Sequence, residues 1–178
     1  ASNPRNGILG SWDDLMEGNF TAPVTSFWEH RIHRTTGAVT RRLLSKQSMD
    51  HPIVNPAFYG TAHRFAFFPN CVIPAPHEQS GPPQGWTRLD IETGEKQTVY
   101  FGPKFFTEEL VFVSREGSSE REDCGYLLGL IYSAEKNRSG LVVLDASDFE
   151  AGPLCTLWLD THLPHGLHGS FTPQVFHA

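Results

Sequence analysis

FWEHRIHRTTG (Phe27–Gly37) returns downstream as GWTRLDIETG (Gly85–Gly94). In both, a Trp leads to Arg, an aliphatic, a polar residue and Thr-Gly: Arg31-Ile32-His33 before Thr36-Gly37, and Arg88-Leu89-Asp90 before Thr93-Gly94. Thr-Gly between runs rich in β-branched and aromatic residues marks a hairpin turn. The runs that follow, AVTRRLLS and EKQTVYFG, supply the return strands. A hairpin cannot bury its own face, so repeated hairpins gain a core by stacking on their neighbours. Units of about 50 residues, each with a Thr-Gly turn and a Trp or Tyr, fit the blades of a β-propeller. The 178 residues hold about three or four such blades, too few to close a ring.

The remaining runs extend the pattern. GYLLGLIYSAEKNRSGLVVLDA reads as a third hairpin with a longer loop, and ELVFVSR and GPLCTLWLD as further strands. HRFAFFPNCVI reads as a strand broken or ended by Pro69, and the Pro-rich VIPAPHEQSGPPQG as a loop. With 16 Gly and 13 Pro as punctuation, few or no long helices are expected, so the fold class is all-β. No composition shift marks a second domain within 1–178.

Composition narrows the function. The chain is 39% hydrophobic with mean hydropathy −0.32, ordinary for a globular protein. A net charge of −6 and scattered Lys and Arg leave no basic footprint for nucleic acid. No apolar run is long enough to span a membrane, and no signal peptide is visible, so secretion is not expected. Cys71, Cys124 and Cys155 are odd in number and widely spaced, against both a disulfide framework and a CxxC metal site. No Ser-His-Asp elbow, phosphate loop or Rossmann glycine pattern is present.

LPHGLHGSF (Leu163–Phe171) and the residue before it place His162, His165 and His168 three apart. Pro164 and Gly166 oppose a helix. In an extended segment, residues three apart point to opposite faces and lie about 10 Å apart. At most one of the three can serve a given metal, and a site with several ligands must recruit the others from other strands. His30 and His33 fall on opposite faces of a hairpin strand, His51, His63 and His77 show no carboxylate or histidine at ligand spacing, and His177 is penultimate, so none of these reads as a ligand.

SMDHPIVN (Ser48–Asn55), the stretch from Glu108 to Ala146 containing EELVFVS, EDCGY and VVLDA, and LPHGLHGSF together resemble successive landmarks of the carotenoid cleavage oxygenases. That family includes stilbene-cleaving dioxygenases and the retinal pigment epithelium isomerase. The resemblance implies that the chain is the C-terminal portion of a seven-bladed β-propeller with Fe(2+) on its axis. The iron is held there by four histidines from different blades, with carboxylates behind them and dioxygen as co-substrate. His168 matches one of the four ligands, and the other three belong to blades upstream of this chain. Asp50 and Glu109 match the supporting carboxylates, with Glu108 as the register alternative to Glu109. Leu167 stands where the family has Phe, His165 where it has Tyr or Thr, and His51 where it has the Phe of Phe-Pro. Leu167 and Phe171 are expected to shape the substrate cavity, while Phe67, Phe68, Phe105, Phe106 and Phe112 read as blade core or tunnel wall.

The implied activity is iron(II)-dependent oxidative cleavage of a conjugated C=C bond of a carotenoid or apocarotenoid to carbonyl products. The alternatives are stilbene-type cleavage, an isomerohydrolase outcome on the same scaffold, or a propeller serving as a non-catalytic binding module. The implied partner is an apolar polyene or stilbene, with peripheral membrane contact through regions outside this chain. The portion alone is expected to be inactive, with an open sheet edge.

Overall fold

A computed structural model describes residues 22–175 apart from 24, 73–78, 81–82 and 118–120. The described chain is all-β. In order it forms β1 (Ala22–Pro23), β2 (Phe27–Ile32), β3 (Val39–Ser45), β4 (Phe65–Asn70), β5 (Gln79–Ser80), β6 (Gly85–Asp90) and β7 (Lys96–Tyr100). There follow β8 (Phe105–Ser114), β9 (Gly125–Ser133), β10 (Arg138–Asp145) and β11 (Pro153–Trp158). Among the described residues the helical content is two single 3₁₀ turns, Pro56–Phe58 and Phe149–Ala151. No helix among the described residues is long and apolar enough to cross a membrane.

The strands form antiparallel sheets β2-β3, β4-β6-β7 and β11-β10-β9-β8, with β1-β5 as a two-residue pair. These are blades of an incomplete β-propeller. The repeated sequence builds one turn twice. Gly37 N–H donates to the His33 carbonyl and Gly94 N–H to the Asp90 carbonyl, both at 2.8 Å. Both glycines take left-handed φ, 70° and 79°, which glycine adopts without a Cβ penalty. The polar residue caps each turn, since His33 Nδ1 accepts from Thr36 N–H and Asp90 Oδ1 from Thr93 N–H, each at 3.2 Å.

Two readings of the sequence change. Pro69 does not end its strand: β4 continues to Asn70, with Pro69 opposite Trp86. β4 lies at the edge of its sheet, met on its outer side among the described residues by isolated bridges at Met49 and Ile53, where a missing N–H is tolerated. Within the Pro-rich segment read as a loop, Gln79–Ser80 pairs with β1. His77 and His177 lie outside the described residues.

β6 and the four-stranded sheet share one core. Trp86, Phe67, Leu127, Val142, Leu144 and Phe149 are fully buried in it. β9 shows the period-2 pattern plainly, with Leu127, Gly129, Ile131 and Ser133 buried and the residues between them half-buried. Phe67 and Phe112 are therefore core rather than tunnel wall, and Phe68 is buried in a second cluster with Met49 and Leu89.

Candidate metal centre

The site is built on an irregularity in β8. Thr107 pairs with Ile131 and Leu110 with Gly129, so Glu108 and Glu109 together oppose the single residue Leu130. A two-against-one bulge interrupts strict alternation and re-aims side chains. Both glutamates accordingly border the same cavity. Trp86 Nε1–H donates to the Glu108 carbonyl at 2.7 Å, tying β6 to the bulge. The indole fits because the residue opposite is glycine: a Cβ on Gly129 would lie 2.3 Å from Trp86 Cζ2.

The chain after β11 crosses this surface without regular secondary structure. Ser139 fastens its start: its carbonyl accepts from Leu159 N–H and its hydroxyl from Leu163 N–H, both at 2.9 Å. Two imidazole–carboxylate pairs follow. His165 Nδ1 meets Glu108 Oε1, and His168 Nδ1 lies 3.0 Å from Glu109 Oε2. The Gly169 N–H donates to Glu109 Oε1. The bulge thus separates the two registers that the sequence leaves open, giving Glu109 to His168 and Glu108 to His165.

A neutral imidazole that donates Nδ1–H to a carboxylate has its tautomer fixed and keeps its Nε2 lone pair for a metal. Glu109 is largely buried, whereas the His168 ring is 70% exposed and so open to a ligand. Beside the pair is a cavity of about 300 Å³ whose wall is mostly apolar. Val111, Leu128, Leu141, Leu167 and Phe171 contribute to it, so both residues expected to shape a substrate cavity border it.

His51 is the residue that sequence reasoning missed. Not read as a ligand in the sequence, it lies with its ring centroid 5.2 Å from that of His168 and its Nδ1 3.6 Å from Glu109 Oε2. His51, Glu109 and His168 offer ligand atoms within 4.8 Å of one another. Its backbone is left-handed, φ 45°, a conformation that non-glycine residues rarely hold except where the surroundings impose it. Asp50 is three-quarters exposed and its carboxylate turns to His51 rather than to His168: Oδ1 accepts His51 N–H at 2.8 Å, and Oδ2 lies 3.4 Å from His51 Nε2. The departure of His51 from the Phe-Pro landmark was the available signal. The bridges that bring Ser48–Ile53 alongside β4 are non-local and left no trace in spacing.

His162 packs on Tyr132, ring centroids 4.9 Å apart, and His30, His33 and His63 are exposed and lie outside the metal-capable group. The donor set fits Fe(2+), for which imidazole with carboxylate support is a usual environment. Cys71, Cys124 and Cys155 form no disulfide.

The model of the family described as retinal pigment epithelial membrane protein matches residues 6–173. The chain is 35% identical over 146 residues to apocarotenoid-15,15'-oxygenase of Synechocystis, covering 81% of this chain and 29% of the relative. It is 28% identical over 157 residues to isoeugenol monooxygenase of Pseudomonas nitroreducens, covering 85% and 33%. The crystal structure of cobalt-substituted Synechocystis ACO matches with a TM-score of 0.75 at 34% identity, over 83% of this chain and 30% of that one. The chain therefore spans roughly 30% of the length of these relatives. With the match running from before the first blade to beyond His168, the chain belongs to the retinal pigment epithelial membrane protein family, the carotenoid cleavage oxygenases.

Proposed function

We propose that the whole protein is an iron(II)-dependent dioxygenase that cleaves a conjugated C=C bond of a carotenoid or apocarotenoid into two carbonyl products, with dioxygen as co-substrate. The observation that carries this reading is the His168–Glu109 pair, an imidazole with its Nδ1 held by a largely buried carboxylate and its ring otherwise open. His168 Nε2 would be one ligand to Fe(2+), with further histidines supplied by strands outside this chain. Fe(2+) held there would activate dioxygen toward the alkene without net oxidation of the metal, the electrons that reduce dioxygen coming from the C=C bond that is cleaved.

The chain's own residues do the rest. Glu109 accepts the His168 Nδ1 proton in a hydrogen bond, raises the basicity of Nε2 and, through Gly169 N–H, fixes the backbone that carries the ring. Asp50 acts at one remove, holding His51 against Glu109. Leu167 and Phe171, beside His168, form part of an apolar wall suited to a polyene and poor for water. The name of the apocarotenoid relative supports the polyene substrate. The isoeugenol relative supports a second reading, cleavage of an aryl alkene of the stilbene type in the same cavity.

The test uses the intact protein with iron and ¹⁸O₂. Aldehyde products from apocarotenoid, labelled with ¹⁸O and formed only when iron and oxygen are both present, support the reading. Labelled products from a stilbene alone select the second. A protein that holds iron yet consumes no oxygen with either class refutes both.

A further inference from the structure

We infer that His165 and Glu108 form a positioning latch, separate from the His168–Glu109 pair, that sets where the ligand-bearing segment lies. The inference rests on the reading of His168 as a metal ligand.

Between Leu163, fastened by Ser139, and His168, fastened by Glu109, the chain passes Pro164 and Gly166 with no strand partner. An unpaired stretch ending in a glycine and a half-free imidazole has many conformations close in energy. His165 is the one side chain within it that is anchored to the sheet. Its Nδ1 meets Glu108 Oε1, a carboxylate only 19% exposed and itself fixed by the bulge.

Aromatic rings hold the imidazole from other sides. Phe106 meets it edge-on at 6.2 Å between centroids, and Tyr132 does so at 6.3 Å. Tyr132 is in turn tethered by its hydroxyl, which donates to Asn137 Oδ1 at 2.8 Å. The ring is still 62% exposed, so the Nδ1 contact to Glu108, with the two edge-on rings beside it, is what anchors it rather than burial.

The bulge is what allows two latches. In a regular strand, consecutive glutamates would face opposite sides. Here both reach one cavity, and the two histidines three residues apart each find a carboxylate. One contact orients the His168 ring, and the other fixes the backbone that delivers it. A ring held at Nδ1 alone can pivot with its own backbone. With His165 also held, the swing of Gly166 and Leu167 is limited, and Nε2 returns to one place.

The test uses the intact protein loaded with Co(II). His165→Phe keeps the ring packing on Phe106 and Tyr132 but removes the Nδ1–H. His165→Asn keeps a donor near the Nδ1 position. Glu108→Ala removes the acceptor and leaves His165 untouched. Metal affinity is measured by chelator competition and ligand order by the width of the Co(II) paramagnetic resonance signal. His165→Phe and Glu108→Ala should each weaken metal binding about three- to tenfold and broaden the signal, less than the loss of a direct partner of a metal ligand, about 10–100-fold. His165→Asn should stay within about twofold of the parent.

Parental affinity and line shape in His165→Phe or Glu108→Ala, alongside metal loss in His168→Ala, overturn the latch and leave the ligand reading intact. Equal losses in His165→Phe and His165→Asn overturn it too, since a variant that keeps the donor would then fare no better than one that lacks it. Metal retention in His168→Ala removes the ligand reading, and the latch with it.

Discussion

Placing a methyl group at Gly129 probes how the bulge is held. The added Cβ would stand 2.3 Å from Trp86 Cζ2 and 2.9 Å from both Trp86 Cη2 and Leu110 Cδ2, against an ordinary carbon–carbon contact of about 3.5–4.0 Å. Trp86 is fully buried and its Nε1–H is committed to the Glu108 carbonyl, so the indole cannot slide away without breaking that bond. Overpacking of this kind costs about 1–3 kcal/mol, and leaving the carbonyl without its donor adds about 1–3 kcal/mol. Gly129→Ala should therefore destabilise the intact protein by about 2–6 kcal/mol. The two clashing Trp86 atoms belong to the six-membered part of the indole, which Phe lacks at that reach. Trp86→Phe alone loses the hydrogen bond and ring volume, for about 2–4 kcal/mol. In the Trp86→Phe background only the 2.9 Å approach to Leu110 Cδ2 remains, so Gly129→Ala should cost about 1 kcal/mol, a coupling of about 1 kcal/mol or more. Urea unfolding followed by circular dichroism, with metal affinity measured in parallel, completes the cycle. Additive effects, or a Gly129→Ala cost below about 0.5 kcal/mol, would refute the claim that Trp86 and Gly129 clamp the bulge.

Glu109→Gln should lower metal affinity about 10–100-fold by chelator competition, and His51→Phe should lower it by less. His51 stands 3.6 Å from the shared carboxylate oxygen, whereas His168 stands at 3.0 Å, so the reverse ranking would contradict the assigned order. The Arg64 guanidinium, followed by the Thr93 and Glu92 backbone N–H groups, holds the Asp90 carboxyl well below the usual carboxylate range. A depressed folded-state value means that this stabilisation is complete above about pH 4, the unfolded value, and is lost as pH falls below it. Asp90→Asn should cost about 1–2 kcal/mol at pH 7, discounted because Arg64 is half exposed. The difference from the parent should shrink steadily as pH falls below about 4, and a gap at pH 2 as large as that at pH 7 would sink the assignment.

The parts legible in the sequence are local ones. The Thr-Gly turns carry their instructions within a few residues, since a glycine takes the left-handed position and the preceding polar side chain caps the turn. Both hairpins were read correctly for that reason. The buried alternation of β9 is local too. Pro69 misled because tolerance of a proline depends on whether the strand lies at a sheet edge, which topology alone decides. The choice between Glu108 and Glu109 stayed open because a bulge is a property of two strands. Its traces, a buried Trp and a glycine without a turn to make, lie in β6 and β9 rather than beside the glutamates. His51 escaped for a similar reason, since its approach to His168 depends on bridges to β4 and on a chain end far away in sequence.

The measurement closest to the central claim is the iron content of the intact protein purified with and without His168→Ala, each checked for folding by circular dichroism. One iron per folded parent molecule and almost none in the folded variant are expected. Iron retained at the parental level in a folded His168→Ala protein would contradict that claim.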